Sequence, residues 1–221
     1  MLTTTWEQEY PYNAQINYIC GDERAPAGYV AIATGQILTY YKQQPINNPN
    51  AYNYELFCNY TSVPSWDVQA VNEVARFIKD IGIDANMEYG CYVSGANSAY
   101  TVENVIKNKY GLGTSLLSPM YHPLDFLGAF VNDRVIYARG QDPNYGGHAW
   151  VIDGGYGHGG DPAIHLSPLN YSVHCNFGWN GISDGWFLMA TSAVNTGYVG
   201  SGSITVAGYN FQGLEGWVIS K

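Results

Sequence analysis

Two short stretches carry side chains suited to moving protons. In GGHAWVID, His148 follows Gly146 and Gly147 and opens an apolar run. Imidazole is the side chain whose ordinary pKa lies closest to neutrality, and the glycines leave room for another chain to approach its edge. In HCNFGWNGISDGW, Asn176 offers an amide able to hold one imidazole nitrogen and so select its tautomer. Together they have the parts of a general acid–base group with an orienting partner. A local hydrogen bond made separately by each side chain is the plainer alternative.

The thiols available to such a pair are Cys20, Cys58, Cys91 and Cys175. None belongs to a C-x-x-C pair, and four in 221 residues do not make a disulfide framework. They read as isolated thiols or small buried hydrophobes, and Cys175, beside Asn176, would face the opposite side of a strand as a structural residue. The histidines at 122, 148, 158, 165 and 174 fit no metal-binding spacing, although His158, His165 and His174 are able to converge in space. The glycines between 154 and 160 lack the Lys-Ser/Thr of a phosphate loop and read as a turn between strands. No metal and no cofactor is expected.

Elements must hold these residues in place. Ala27–Tyr41 reads as a helix, with Val30, Ala33, Ile37 and Tyr41 along one stripe. It is apolar nearly all round from Val30 to Leu38, which predicts a central buried helix ending in the polar stretch before Pro45. Val68, Val71, Val74, Ala75, Ile78 and Ile81 predict a second helix stopped by Gly82. Val102, Val105 and Ile106 predict a third ending before Gly111, and Leu124–Phe130 a short fourth. The opening to about Asp22 reads as irregular. From Val135 the period changes to short aromatic and β-branched runs, among them VIYARG, HAWVIDGGY, AIHLS, YSVHCNFGW, GWFLMA, SITVAGY and GWVIS. Helices followed by strands indicate the α+β class.

Composition narrows the function. A net charge of -9, with no run of Lys or Arg, argues against a nucleic-acid partner. No stretch approaches eighteen consecutive apolar residues, so no membrane span is expected, and the first residues lack the pattern of a signal peptide. Few charges with many Tyr, Asn and Gly residues lean toward a secreted or cell-surface protein.

The chain resembles the streptopain family of secreted bacterial cysteine peptidases, a branch of the papain-like fold, along nearly its whole length. WEQEYPYN resembles the family's N-terminal segment, whose glutamine, here Gln8, contributes to the oxyanion hole. APAGYVAIATGQILTYY resembles the nucleophile-bearing helix, and NMEYGCYVSGANS an active-site loop containing Ser94. GGHAWVIDG resembles the segment of the catalytic histidine, placing that role on His148 with Gly147 beside it; HCNFGWNGISDGWF resembles the segment of the orienting asparagine, Asn176. The resemblance implies a two-lobed, single peptidase domain over residues 1–221. Its helical lobe would span about 1–130, its antiparallel β-rich lobe about 131–221, with Gly147, Ser94, Phe177, Trp179 and Trp186 along the substrate groove. A flexible loop bordering the cleft would fall at 195–203. The implied partner is a peptide or unfolded segment, with a pro-segment or inhibitor outside this chain.

One position departs. The family has cysteine directly after the glycine of the helix segment, and here Tyr29 follows Gly28. A cysteine is already partly thiolate near neutrality, whereas a phenol ionises near pH ~10 and carries its oxygen at the far end of a rigid ring. Cys20 and Cys91 would reach His148 only without the helix-terminal placement. Phe177 departs less, standing where the family has tryptophan. The expected function is a streptopain-like protein, catalytically impaired by Tyr29 and retaining a peptide groove. Two alternatives are an active secreted cysteine endopeptidase represented by a variant at position 29, and an aromatic-rich carbohydrate- or surface-binding protein, recognisable by an exposed aromatic platform away from His148.

Overall fold

The apolar run after Gly28 folds as helix α1, Tyr29–Tyr41, in which every residue from Val30 to Thr39 is buried. The structure, a computed structural model, describes residues 1–117, 128–158, 170–189, 193–194, 197–198 and 204–221. Residues 124–127 of the expected helix Leu124–Phe130, the AIHLS strand and, apart from Gly197–Tyr198, the loop at 195–203 lie outside those residues, while residues 128–130 of that helix are helical. Gly28 caps α1 at φ 88°, a conformation that L side chains rarely adopt. A Cβ there would also lie 2.7 Å from the Met87 sulfur and 3.1 Å from the Ser94 carbonyl oxygen. The glycine thus lets the helix start press against the loop that follows the second helix.

That helix, α2, runs Val68–Asp84 and starts where the Asp67 carboxylate accepts the Ala70 N–H. Gly82 does not stop it. The glycine sits inside the last turn because the Tyr89 hydroxyl occupies the place of a Cβ. The stop comes at Asn86, whose positive φ of 54° lets Met87 N–H bond back to the Gly82 carbonyl. Asn97 caps a third helix, α3, Ser98–Tyr100, which continues as a wider-wound turn over Thr101–Lys109.

The opening segment is less irregular than its sequence suggests. It contains a small hairpin, β1 (Ile19–Cys20) with β2 (Glu23–Arg24), and Cys20 is bonded to Cys91 across a Cα distance of 5.4 Å. These two cysteines are therefore not isolated thiols. They lie 71 residues apart in sequence, so nothing local announces their meeting.

The other strands are β3 (Gly113–Leu117), β4 (Val135–Asp142), β5 (Gly146–His158), β6 (Asn170–Asn176), β7 (Gly185–Met189), the short β8 (Ala193–Val194) and β9 (Gly197–Tyr198), β10 (Ile204–Val206) and β11 (Tyr209–Ser220). One antiparallel sheet takes the order β10-β11-β4-β5-β6-β7, with β3 also on β11. Because β3 precedes residue 130, the chain crosses the expected lobe boundary. Helices first and strands after is nonetheless the α+β pattern expected.

Strand alternation gives the sheet two faces. Val135, Tyr137, Ala149, Val151, Trp217 and Ile219 pack with α1 and α2. Ile136, Ala138, Trp150, Ile152, Val173 and Cys175 form a second core with Phe177 and Phe211. Among the described residues no helix is long and apolar enough to cross a membrane.

Candidate active site

The first residue of α1 and the start of β5 meet at one end of the sheet. Tyr29 and His148 have ring centroids 3.9 Å apart at an interplanar angle of 78°. Four more aromatic rings surround the imidazole: Trp179 at 5.0 Å, Phe211 at 5.4 Å, Trp150 at 5.9 Å and Phe177 at 6.1 Å. His148 is 6 % exposed. Removal from water disfavours the imidazolium, and this burial lowers its pKa to about 3 despite an opposing hydrogen bond with the Phe177 carbonyl.

That bond fixes the tautomer. His148 Nε2 lies 2.9 Å from the Phe177 carbonyl oxygen, which can only accept, so Nε2 carries the proton. In the neutral ring Nδ1 is then the basic nitrogen. The orienting partner is a backbone carbonyl, and the expected Asn176–His148 pairing is corrected: Asn176 is engaged elsewhere. Its Nδ2 donates to the Thr4 carbonyl at 2.6 Å, and its Oδ1 accepts from Gln36 Nε2 at 3.1 Å and Gly178 N–H at 3.2 Å. The physical reason is strand parity. Asn176 pairs with Val151 on the α1 face, and His148, three residues before Val151, falls on the other face. Thr4 Oγ1 and Trp6 N–H both donate to Gln36 Oε1, which completes a buried network between the N-terminal segment, α1 and β6.

A groove of about 490 Å³ runs past this centre. Tyr29, His148, Gly147 and Ser94 line it, and Arg139 and Gln141 add polar groups to its wall. Ser94 is buried and its Oγ accepts the Gly90 N–H at 3.3 Å, holding the loop shape. Three expected groove residues are not in the described lining. Phe177 is fully buried behind His148, Trp179 stacks on Phe177 at 5.1 Å, and half-exposed Trp186 packs edge-on against His174 and Tyr156. Gln8 is also outside the lining. Its carbonyl accepts the Ala27 N–H at 2.8 Å, tying it to the segment that enters α1.

No cysteine lines the groove among the described residues. Cys20 and Cys91 are bonded to each other, and Cys175 is wholly buried on the second-core face, where burial pushes its thiol pKa well up. Cys58 sits beside Asn59 at 3.7 Å, bordering a separate cavity with Lys42 and Thr39. His174 pairs its Nδ1 with Asp153 Oδ1 at 2.6 Å, and His165 lies outside the described residues, so the described residues assemble no metal-binding cluster. Gln36 and the Phe177 carbonyl were not anticipated. A glutamine inside the nearly all-apolar run of α1 was a visible signal for the first, whereas a backbone carbonyl leaves none in sequence.

The family model described as the peptidase C10 family matches residues 6–187, most of the chain, with Gln8, Tyr29, Ser94, His148 and Asn176 inside the match. The chain belongs to the peptidase C10 family. Streptopain of Streptococcus pyogenes is 26% identical over 212 residues, covering 81% of this chain and 49% of that protein. The thiol protease/hemagglutinin PrtT of Porphyromonas gingivalis is 26% identical over 226 residues, covering 90% of this chain and 24% of that one. This family member thus spans half or less of the length of these curated relatives. Active wild-type interpain A cysteine protease of Prevotella intermedia shares the fold with a TM-score of 0.68 at 23% identity, covering 98% of this chain and 92% of its own. A prointerpain A fragment of the same organism gives 0.61 over 84% of this chain. The α+β architecture of this peptidase C10 member is therefore papain-like.

Proposed function

We propose that this peptidase C10 family member binds extended peptide segments without cleaving them, because Tyr29 occupies the place of the family's nucleophile. The observation that carries the reading is the Tyr29 ring against His148 at 3.9 Å, in a groove where no described residue is a cysteine. Amide hydrolysis by acyl transfer needs a nucleophile whose proton an adjacent base can take, followed by a covalent acyl intermediate. Neutral His148, with Nδ1 unprotonated, stands in the place of that base, and Gln8 with the N–H groups at the start of α1 would supply the oxyanion donors. Tyr29 supplies neither the compact nucleophile nor the space beside it. What remains is a groove able to hold a peptide and polarise one of its carbonyls. The Cys20–Cys91 disulfide supports a secreted or cell-surface location, since such bonds persist in oxidising surroundings.

The test is a paired turnover assay on unfolded casein with the unmodified chain and with Tyr29→Cys. The expected outcome is cleavage by the substituted chain alone, abolished when His148→Ala is added. Equal cleavage by the unmodified chain would contradict the proposal and favour an active enzyme with another nucleophile.

A second reading rests on Tyr156 and Trp186, two rings each 50 % exposed, 5.7 Å apart and outside the described groove lining. An exposed ring face in such an edge-on pair suits a sugar ring, which stacks on aromatic faces. Glycan binding lost in Trp186→Ala with peptide binding unchanged would support it.

A further inference from the structure

The groove wall formed by residues 93–97 has two sides. Val93, Gly95, Ala96 and Asn97 line the groove and also line a second cleft of about 570 Å³ behind it. The wall is thin and held at its base. Glu88 and Gly95 exchange both backbone hydrogen bonds, at 2.8 and 3.0 Å, and the Cys20–Cys91 disulfide ties the turn to the β1–β2 hairpin. The second cleft therefore lies across a held wall from the groove.

Its chemistry is specific. Val93 and Tyr100 are 63% and 40% exposed and offer apolar and aromatic surface. Glu88 also lines the cleft; its carboxylate is exposed and forms no ion pair with any described residue. Ala85 and Asn86, at the C-terminal end of α2, complete the lining. A helix C-terminus carries partial negative charge; the last turn of α2 contains no basic residue, and Lys109, which reaches that end from elsewhere, is engaged by the Asp84 carboxylate. By contrast, the cation in the groove itself, Arg139, is already neutralised by Glu215 at 2.5 Å. An apolar and aromatic surface ending in uncompensated negative charge matches one kind of side chain, a long aliphatic stem with a cationic head.

We propose that the cleft formed by Glu88, Val93, Tyr100 and the end of α2 is a binding site for a lysine or arginine side chain, which in a bound peptide reaches it across the 93–97 wall. The peptide part of this inference rests on the groove reading above; the cleft itself does not.

Two measurements separate them. In the first, backbone amide NMR follows the chain during titration with N-acetyl-arginine amide and with its neutral analogue, N-acetyl-citrulline amide. The expected result is saturable shifts at Asn86, Glu88 and Tyr100 with the arginine compound only, lost in Glu88→Gln. In the second, fluorescence anisotropy compares a neutral ten-residue peptide with versions carrying one lysine at successive positions. One position should bind roughly three- to tenfold tighter, and Glu88→Gln should remove that gain while leaving the neutral peptide's affinity unchanged. If the neutral peptide does not bind but the arginine shifts appear, the cleft stands and the groove reading falls. Absence of selective shifts, or shifts and gain that survive Glu88→Gln, would overturn the cleft.

Discussion

At the scale of single residues, the two histidines that meet described partners are driven in opposite directions. His148 is enclosed by rings and loses water, which lowers its pKa to about 3. His174 is bonded to the Asp153 carboxylate, which raises its pKa above the ordinary 6.5. The two contribute to stability in opposite pH windows. Between about pH 3 and 6.5 the unfolded chain binds the proton that His148 refuses, so its contribution is complete above 6.5 and is lost as the pH falls. For His174 the folded form binds the proton more tightly, so its contribution is complete below 6.5 and is lost as the pH rises through the folded value. NMR titration of the ring protons should show no His148 midpoint between pH 5 and 8, and a His174 midpoint above 6.5. In Tyr29→Ala, where water reaches the imidazole, the His148 midpoint should move up toward 6.5; a midpoint near 6.5 in the unmodified chain would contradict the described enclosure. The sequence made His148, Tyr29, Gly147 and Ser94 legible because each sits in a short local pattern. It misled on Asn176, whose amide type suits an imidazole but whose strand parity turns it toward Gln36.

At the scale of elements, the body and end of α1 were readable because a buried helix writes its burial into composition, while its start lies at Tyr29 rather than Ala27 because Gly28 is the cap. The end of α2 was not, since Gly82 serves the packing of Tyr89 and the stop belongs to Asn86. β3 was missed because GTSLL is a short edge segment whose place depends on its partner, β11. The β1–β2 hairpin and the wall loop are joined by the Cys20–Cys91 bond, which spans 71 residues. Closing a loop of that length removes conformational freedom from the unfolded chain, and Cys20→Ser with Cys91→Ser should lower stability by roughly 2–4 kcal/mol. The loss should appear in chemical denaturation as a shifted midpoint. Amide exchange should quicken most at residues 88–97, where Ser94 and the wall between the two clefts depend on the bond. Unchanged exchange there would mean that the Glu88–Gly95 pairing and the Met87 and Ser94 contacts with the start of α1 hold the loop unaided.

At the scale of the whole molecule, α1 is the shared part. Its buried length packs against α2 on one side and the sheet on the other, so its first residue is placed by the core that those elements share. The α+β class was legible because the change of period near Val135 is a global feature. β3 and the N-terminal segment through Thr4 both reach across to the sheet side of the boundary expected near residue 130, pairings between distant segments that no local pattern announces. The central proposal is that the groove is silent because Tyr29, and no thiol of the described residues, stands beside His148 at the start of α1. Its most direct test is intact-mass analysis, with peptide mapping, after exposure to a peptidyl inhibitor that alkylates activated thiols. Tyr29→Cys should gain one adduct, mapped to residue 29 and lost when His148→Ala is added, while the unmodified chain gains none. An adduct on any cysteine of the unmodified chain that depends on His148 would contradict the account.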